Sequence, residues 1–217
     1  MITAAPSGKW NNAMTSVYDG VVSRHVNRRL SRPIARLLSH TPATPNQVSV
    51  LSLAIAAGAF VSFFYGLPIV GGLLAQLCSI VDGVDGDLAR LTGSSSRFGG
   101  FLDAVIDRYS DALILLGVSV WAASGSDPTL AWMAGFAALA GSFAVTYTRA
   151  RIDEGHRTLF DRGLASLASR DVRLLIVMVG SIVGLGIPTL ILIALLTNAV
   201  VAVRLVQARS ALGGQAG

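Results

Sequence analysis

Apolar residues run along this chain in long blocks separated by short polar breaks. Six blocks approach the roughly 20 residues that cross a hydrocarbon core: 46–66, 67–89, 100–124, 128–148, 172–187 and 188–208. The fifth is short. Together they predict an all-α integral membrane protein with six transmembrane helices. Residues 1–45 are polar and arginine-rich, with no apolar core followed by a small-residue cleavage site, so the first block reads as a signal-anchor helix.

Within that N-terminal segment the pattern changes. Over 17–38, Val17, Val21, Val22, Val26, Leu30, Ile34, Leu37 and Leu38 recur at steps of three and four, with Arg24, Arg28, Arg29, Arg32 and Arg36 between them. This predicts an amphipathic helix on the cytoplasmic interface, its arginines reaching anionic headgroups of the lipid bilayer. A solvated basic helix packed on the rest of the protein is the competing reading. Pro33 is expected to bend or split the helix. Thr44, Pro45 and Asn46 predict a turn and cap that start the first span. The expected organisation is a cytoplasmic segment 1–45, a transmembrane catalytic domain 46–208 and a short cytoplasmic tail 209–217.

Composition agrees with a membrane protein: of 217 residues, 53% are hydrophobic, 13% are charged and 23 are glycine. Charge then sets orientation. Lys9, Arg24, Arg28, Arg29, Arg32 and Arg36 precede the first span; Arg90 and Arg97 lie between the second and third. Arg149, Arg151, Arg157, Arg162, Arg170 and Arg173 flank the connection between the fourth and fifth, and Arg204 and Arg209 close the chain. The opposite connections, 66–68, 124–128 and 186–188, carry no Lys or Arg. Basic residues stay cytoplasmic, so both termini and the Arg90 side are expected in the cytoplasm, across a prokaryotic plasma membrane. The net charge of +5 then reflects topology, and nucleic acid is not an expected partner. Cys78 is the single cysteine, which excludes a disulfide framework and leaves it as a small apolar residue of the second span.

Against this background six aspartates crowd residues 79–112, SIVDGVDGDLARLTGSSSRFGGFLDAVIDRYSDA. Asp82 and Asp85 are three apart at the end of one span, and Asp103 and Asp107 four apart at the start of the next, so each pair shares a helical face. Only LTGSSSRFGG connects them, a short hairpin that sets the two faces opposite each other at one depth. Four such carboxylates repel and resist desolvation, and so demand compensating charge. Oxygen-only ligands favour Mg²⁺ or Mn²⁺ over zinc. Gly83, Gly86, Gly99 and Gly100 leave room for a ligand or a neighbouring backbone. Arg90 suits a phosphate group beside a metal cluster. Two ions gripping a diphosphate, with a carboxylate left to take a proton from a hydroxyl, describe phosphoryl transfer. The structural alternatives are aspartates paired with Arg90 or Arg108 as helix glue, and Gly99 and Gly100 as helix-packing residues.

Written out, Asp82-x-x-Asp85-Gly86-x-x-Ala89-Arg90, eight residues, Gly99-x-x-x-Asp103-x-x-x-Asp107 resembles the full signature of the CDP-alcohol phosphotransferases. The resemblance takes in the six spans, the interfacial helix and Thr44-Pro45-Asn46. It implies a Mg²⁺-dependent homodimeric enzyme in which an acceptor hydroxyl attacks the β-phosphate of a CDP-alcohol and CMP leaves. It also implies Asp82, Asp85 and Asp103 as metal ligands, and Asp107 as general base and further ligand. Asp82, Gly86, Ala89, Arg90 and Gly99 would line the cytidine diphosphate pocket. Asp87 and Asp111 stand outside the signature: Asp87 reads as a solvated helix-end residue, while Asp111 continues the Asp103 and Asp107 face as a supporting residue.

The segment TRARIDEGHRTLFDRGLASLASRDVR holds six arginines beside the expected site, more than topology needs, and a phosphorylated acceptor would account for them. Arginines that only set topology and grip headgroups are the competing reading. In the inositol-phosphate-using branch that the chain resembles, Arg149, Arg170 and Arg173 fall where basic residues bind the acceptor's phosphate. The chain departs from bacterial phosphatidylinositol-phosphate synthases in having Arg149 where a Lys is common and ASRDVR where a Pro usually interrupts. Stretches such as DGVVSRHVNRRLSRP and TPNQVS are closer to di-inositol-phosphate phosphate synthase domains, which take CDP-inositol and are often fused to a soluble cytidylyltransferase. No such domain fits here, so the expected donor is either CDP-diacylglycerol or a CDP-inositol made by another protein. Two other classes compete. A cation-coupled transporter also buries carboxylates, but inverted repeats are not evident. An intramembrane prenyltransferase also clamps a diphosphate with metals, but from well-separated helices. His25, His40 and His156 read as exposed juxtamembrane residues without a role.

Overall fold

A computed structural model describes residues 27–125, 127–152 and 167–212. Among them are seven α-helices and no strand: α1 Arg28–Leu38, α2 Pro45–Phe64, α3 Pro68–Thr92, α4 Arg97–Ala123, α5 Pro128–Arg151, α6 Arg170–Val183 and α7 Gly186–Leu212. Residues 17–26 of the expected interfacial helix, with Lys9, Arg24, His25, His156, Arg157, Arg162 and 213–217 of the tail, lie outside the described residues.

Helices α2 to α7 correspond to the six apolar blocks, with revised ends. Four, α2, α3, α5 and Gly186–Ser210 of α7, are long and apolar enough to cross a membrane. α4 matches them in length but carries Asp103, Asp107, Arg108 and Asp111, and α6 has only 14 residues. The last connection falls earlier than 186–188. Gly184 ends α6 in the left-handed region, at φ 80°, and α7 begins at Gly186. Pro188 thus sits in the first turn of α7, where a missing N–H breaks no helical hydrogen bond.

Local chemistry explains three of the other starts. Thr44 accepts from the Gln47 amide while the Gln47 side chain accepts from Thr44, a capping box, and Pro45 takes the first helical position. Ser96 accepts from the Gly99 amide at 2.9 Å and opens α4. Asp127 does the same for α5 through Leu130, also at 2.9 Å. Only residues 93–96 separate α3 from α4, so the connection is shorter than the expected LTGSSSRFGG.

Despite this tight turn, α3 and α4 touch each other little, and α2 packs along both. Phe63 of α2 acts as the wedge. A Cβ at Gly71 of α3 would stand 2.8 Å from its ring, one at Gly117 of α4 would stand 3.0 Å from it, and Trp121 stacks against it at 6.0 Å. The main core is built from small and branched residues of α2 to α7, among them Ala59, Cys78, Ile114, Ala134, Val177 and Ile193. Outward faces are apolar too, with Phe64, Leu73, Phe136, Leu195 and Val206 exposed. A bundle apolar all round is solvated by lipid.

α1 lies against α3 and is fastened by polar contacts. Its inward face is Arg28, Ser31 and Ala35, while Leu30, Ile34 and Leu37 face outward. Arg28 donates to Asp87 at 2.5 Å and the Ser31 hydroxyl donates to the same carboxylate at 2.9 Å. Asn27 donates to Ser79 at 2.9 Å and accepts from Gln76 at 3.0 Å. The expectation that Asp87 is solvated is therefore corrected: it is fully buried, because α1 covers it. The helix also runs through Pro33 without splitting.

Three outcomes follow for purified protein. A Cβ at Gly72 of α3 would stand 2.8 Å from Ser181 and 3.1 Å from the Met178 backbone of α6, so Gly72→Ala should cost about 1–3 kcal/mol. Gly100, with nothing within 4 Å of its would-be Cβ, should accept alanine without loss. Asp87→Ala leaves Arg28 buried without its carboxylate and should cost about 3–5 kcal/mol. Thermal unfolding in detergent checks each; an unshifted midpoint for Gly72→Ala or Asp87→Ala would contradict the packing described.

Candidate active site

The turn at 93–96 reverses the chain so that the adjoining ends of α3 and α4 present their aspartates to one another. Carboxylate oxygens of Asp82, Asp103 and Asp107 all lie within 4.8 Å of one another. Asp85, expected as a fourth member, meets the cluster at Asp103 and is also tied to α2 and to its own helix. Its carboxylate accepts from the Ser49 hydroxyl of α2 and from the Gly86 amide, and it is more deeply buried than the trio.

Countercharge comes from the first turn of α6. Arg170 Nη1 lies 2.7 Å from Asp82 Oδ2 and 3.0 Å from Asp107 Oδ1. Its Nε donates to Asp111 Oδ1 at 3.0 Å, and Nη2 reaches the Cys78 sulfur at 3.6 Å. Arg173 donates to the other Asp111 oxygen at 2.6 Å and to the Ala168 carbonyl at 2.7 Å. Asp111, expected as a supporting residue, is the buried anchor for both arginines. Arg108 lies 3.3 Å from Asp107 and donates to Thr146 of α5. Arg149 stands in the last turn of α5.

The trio fits a divalent cation on its own chemistry. Asp82 Oδ1 is buried with no hydrogen-bond donor, and Asp107 Oδ1 is met only by the Arg170 ion pair at 3.0 Å, outside hydrogen-bond geometry. Buried acceptors are rarely left this way. All three ligands are hard oxygen donors, the set suited to Mg²⁺ or Mn²⁺.

Beside the trio, the remaining signature residues surround the same turn. Arg90 donates to Asp87 at 2.8 Å, and its guanidinium lies 3.4 Å from the position a Gly86 Cβ would take. Ala89 is half-buried one residue before it. A Cβ at Gly99 would come within 3.0 Å of the Ser96 hydroxyl and 3.3 Å of the Asn46 side chain. A cavity of about 340 Å³ opens here, lined by Thr44, Pro45, Asn46, Thr92, Ser94 and Ser96 with Ala43. Gly83, by contrast, admits α1: its would-be Cβ lies 3.6 Å from Ser31. Gly100 faces open space.

Sequence reasoning missed Ser49 and the inward role of Arg28 and Ser31. A signal for Ser49 existed, since Ser49 and Ser52 are three apart on one face of a mostly apolar span, and both prove buried.

Comparison with known proteins places this geometry. The sequence pattern of the CDP-alcohol phosphatidyltransferase family matches residues 42–206. A Rubrobacter xylanophilus protein named bifunctional IPC transferase and DIPP synthase is 44% identical over 76% of this chain, which covers 37% of that relative's length. The archaetidylinositol phosphate synthase of Pyrococcus horikoshii is 33% identical over 72% of this chain and 80% of its own. The crystal structure of Mycobacterium tuberculosis phosphatidylinositol phosphate synthase with CDP-DAG bound superposes with a TM-score of 0.69 at 28% identity, over 83% of this chain and 94% of that one. The same enzyme in complex with manganese and citrate matches at 0.65 and 26%, over 81% and 87%. An aspartate-rich turn within a helical membrane bundle thus lies inside a match spanning most of the sequence, and the chain belongs to the CDP-alcohol phosphatidyltransferase family of transferases.

Proposed function

We propose that this protein transfers a substituted phosphate from a CDP-alcohol to an inositol phosphate, releasing CMP. The observation that carries the proposal is the trio Asp82, Asp103 and Asp107 with Arg170 between its members. Family membership removes the transporter and prenyltransferase alternatives. Two Mg²⁺ or Mn²⁺ ions, when bound, would draw negative charge from the diphosphate oxygens. Asp82, Asp103 and Asp107 would hold them, with Asp85 beside Asp103 as a further ligand. Gly86, Ala89, Arg90 and Gly99 bound the space for the cytidine diphosphate, and the polar cavity between Thr44 and Ser96 adjoins it.

Asp107 is the residue to accept the proton of the attacking hydroxyl. As the acceptor oxygen bonds to the β-phosphorus, the bond from that phosphorus to the bridging oxygen breaks and CMP departs with the electron pair. Arg170, with Arg149 and Arg173 completing a basic wall, holds the acceptor's phosphate. Arg173 contributes by fixing Asp111, and through it the Arg170 side chain. The site faces the cytoplasm in this reading, six helices α2 to α7 cross the bilayer, α1 lies on its surface through Leu30, Ile34 and Leu37, and the enzyme is a homodimer.

CDP-diacylglycerol is the donor favoured by the match to a phosphatidylinositol phosphate synthase with CDP-DAG bound. CDP-inositol is the second reading, favoured by 44% identity to a protein named in part a DIPP synthase. Steady-state CMP release with each donor, against inositol phosphate and free inositol, distinguishes them. Activity with the phosphorylated acceptor alone is expected, and equal activity with free inositol would overturn that acceptor.

Asp107→Asn should lower turnover by about 100-fold or more while CDP-donor binding is largely retained. Asp82→Asn should weaken both. Equal loss of nucleotide binding in the two variants would contradict the division of roles.

A further inference from the structure

One guanidinium nitrogen, Arg170 Nη1, bridges α3 and α4 by contacting Asp82 and Asp107, two of the three carboxylates assigned to the metal. We infer that Arg170 is an exchangeable counter-ion: it neutralises the trio until a divalent cation replaces it, and its release frees a positive charge for the acceptor's anion. The inference rests on the reading of the trio as a metal site. A guanidinium and a divalent ion on the same two carboxylates repel each other by several kcal/mol in a poorly solvated site, so each weakens the other's hold there. Arg170 also satisfies the trio incompletely, since Asp82 Oδ1 has no donor and Asp107 Oδ1 is met at 3.0 Å outside hydrogen-bond geometry.

The surroundings provide a pivot. Nε of Arg170 is held by Asp111, which is itself fixed on its other oxygen by Arg173. Nη1 can therefore swing off Asp82 and Asp107 while the base of the guanidinium stays anchored. Arg170 opens α6, so the swing disturbs no helical hydrogen bond donated by a preceding turn. Arg173 lacks this freedom: it is 4% exposed and spends both ends on Asp111 and the Ala168 carbonyl. Linkage then requires reciprocity. If the cation releases Arg170 and an anion captures it, each must raise the other's affinity by the same factor.

Mn²⁺ binding to the full chain, without donor, measured from the free-ion spin-resonance signal, tests this. Arg170→Gln should bind Mn²⁺ about tenfold more tightly than wild type, because the competitor is gone. Inorganic phosphate should tighten Mn²⁺ binding to wild type by about fivefold or more and leave Arg170→Gln unmoved. Arg170→Lys, which keeps the charge, should retain part of the coupling. Equal or weaker Mn²⁺ binding by folded Arg170→Gln, or an equal phosphate effect in both proteins, would overturn the inference. Should Arg170→Gln fail to fold, the wild-type coupling decides alone, and its absence overturns it. Mn²⁺ binding indifferent to Asp82→Asn would instead refute the metal reading of the trio, and the inference with it.

Discussion

Carboxylates buried in an apolar bundle must find positive charge, and that constraint organises both ends of this protein's polar region. Asp111 draws Arg170 and Arg173 together at the start of α6, and Asp87 draws Arg28 of α1 and Arg90 of α3. Each aspartate fastens a flanking helix to the α3–α4 framework. The compensation stops short at the centre. Among the described residues, Asp82, Asp85, Asp103, Asp107 and Asp111 draw their ion pairs from Arg108, Arg170 and Arg173, which are fewer than the carboxylates that converge there. A buried cluster tolerates such an excess when a cation can enter.

Packing explains why the convergence is open enough to work. Phe63 and Trp121 fill the space between α3 and α4 toward one end, against the glycines Gly71 and Gly117. Toward the other end α2 offers Ser49 and Asn46 in place of large side chains. The same helix that holds α3 and α4 apart therefore supplies a polar edge to the site. Stability and access are set by different turns of α2.

Much of this was legible in the sequence. The spacing of Asp82, Asp85, Asp103 and Asp107 and the short turn between their helices placed four carboxylates together, since helical periodicity and a brief connection leave little freedom. Thr44 and Pro45 marked the start of α2 by cap chemistry alone. What stayed hidden depends on partners distant in sequence. Asp87 reads as solvated unless α1 is known to lie over it, 59 residues away at Arg28. Asp85 reads as the equal of Asp82 unless Ser49 is known to face it. Arg170 and Arg173 look alike as bases near a site, yet only the fold distinguishes the one on the trio from the one committed to Asp111. The helix boundary at Gly184 was missed because Pro188 signals a break equally well as a first-turn proline.

The central claim, that Asp82, Asp103 and Asp107 form the metal site of a phosphotransferase, is tested most directly by anomalous diffraction from crystals grown with Mn²⁺ and a CDP-alcohol. The account predicts manganese density bounded by those three carboxylates and adjoining the donor's diphosphate. Manganese density elsewhere, with the three carboxylates still paired only to arginine beside a bound donor, would contradict it.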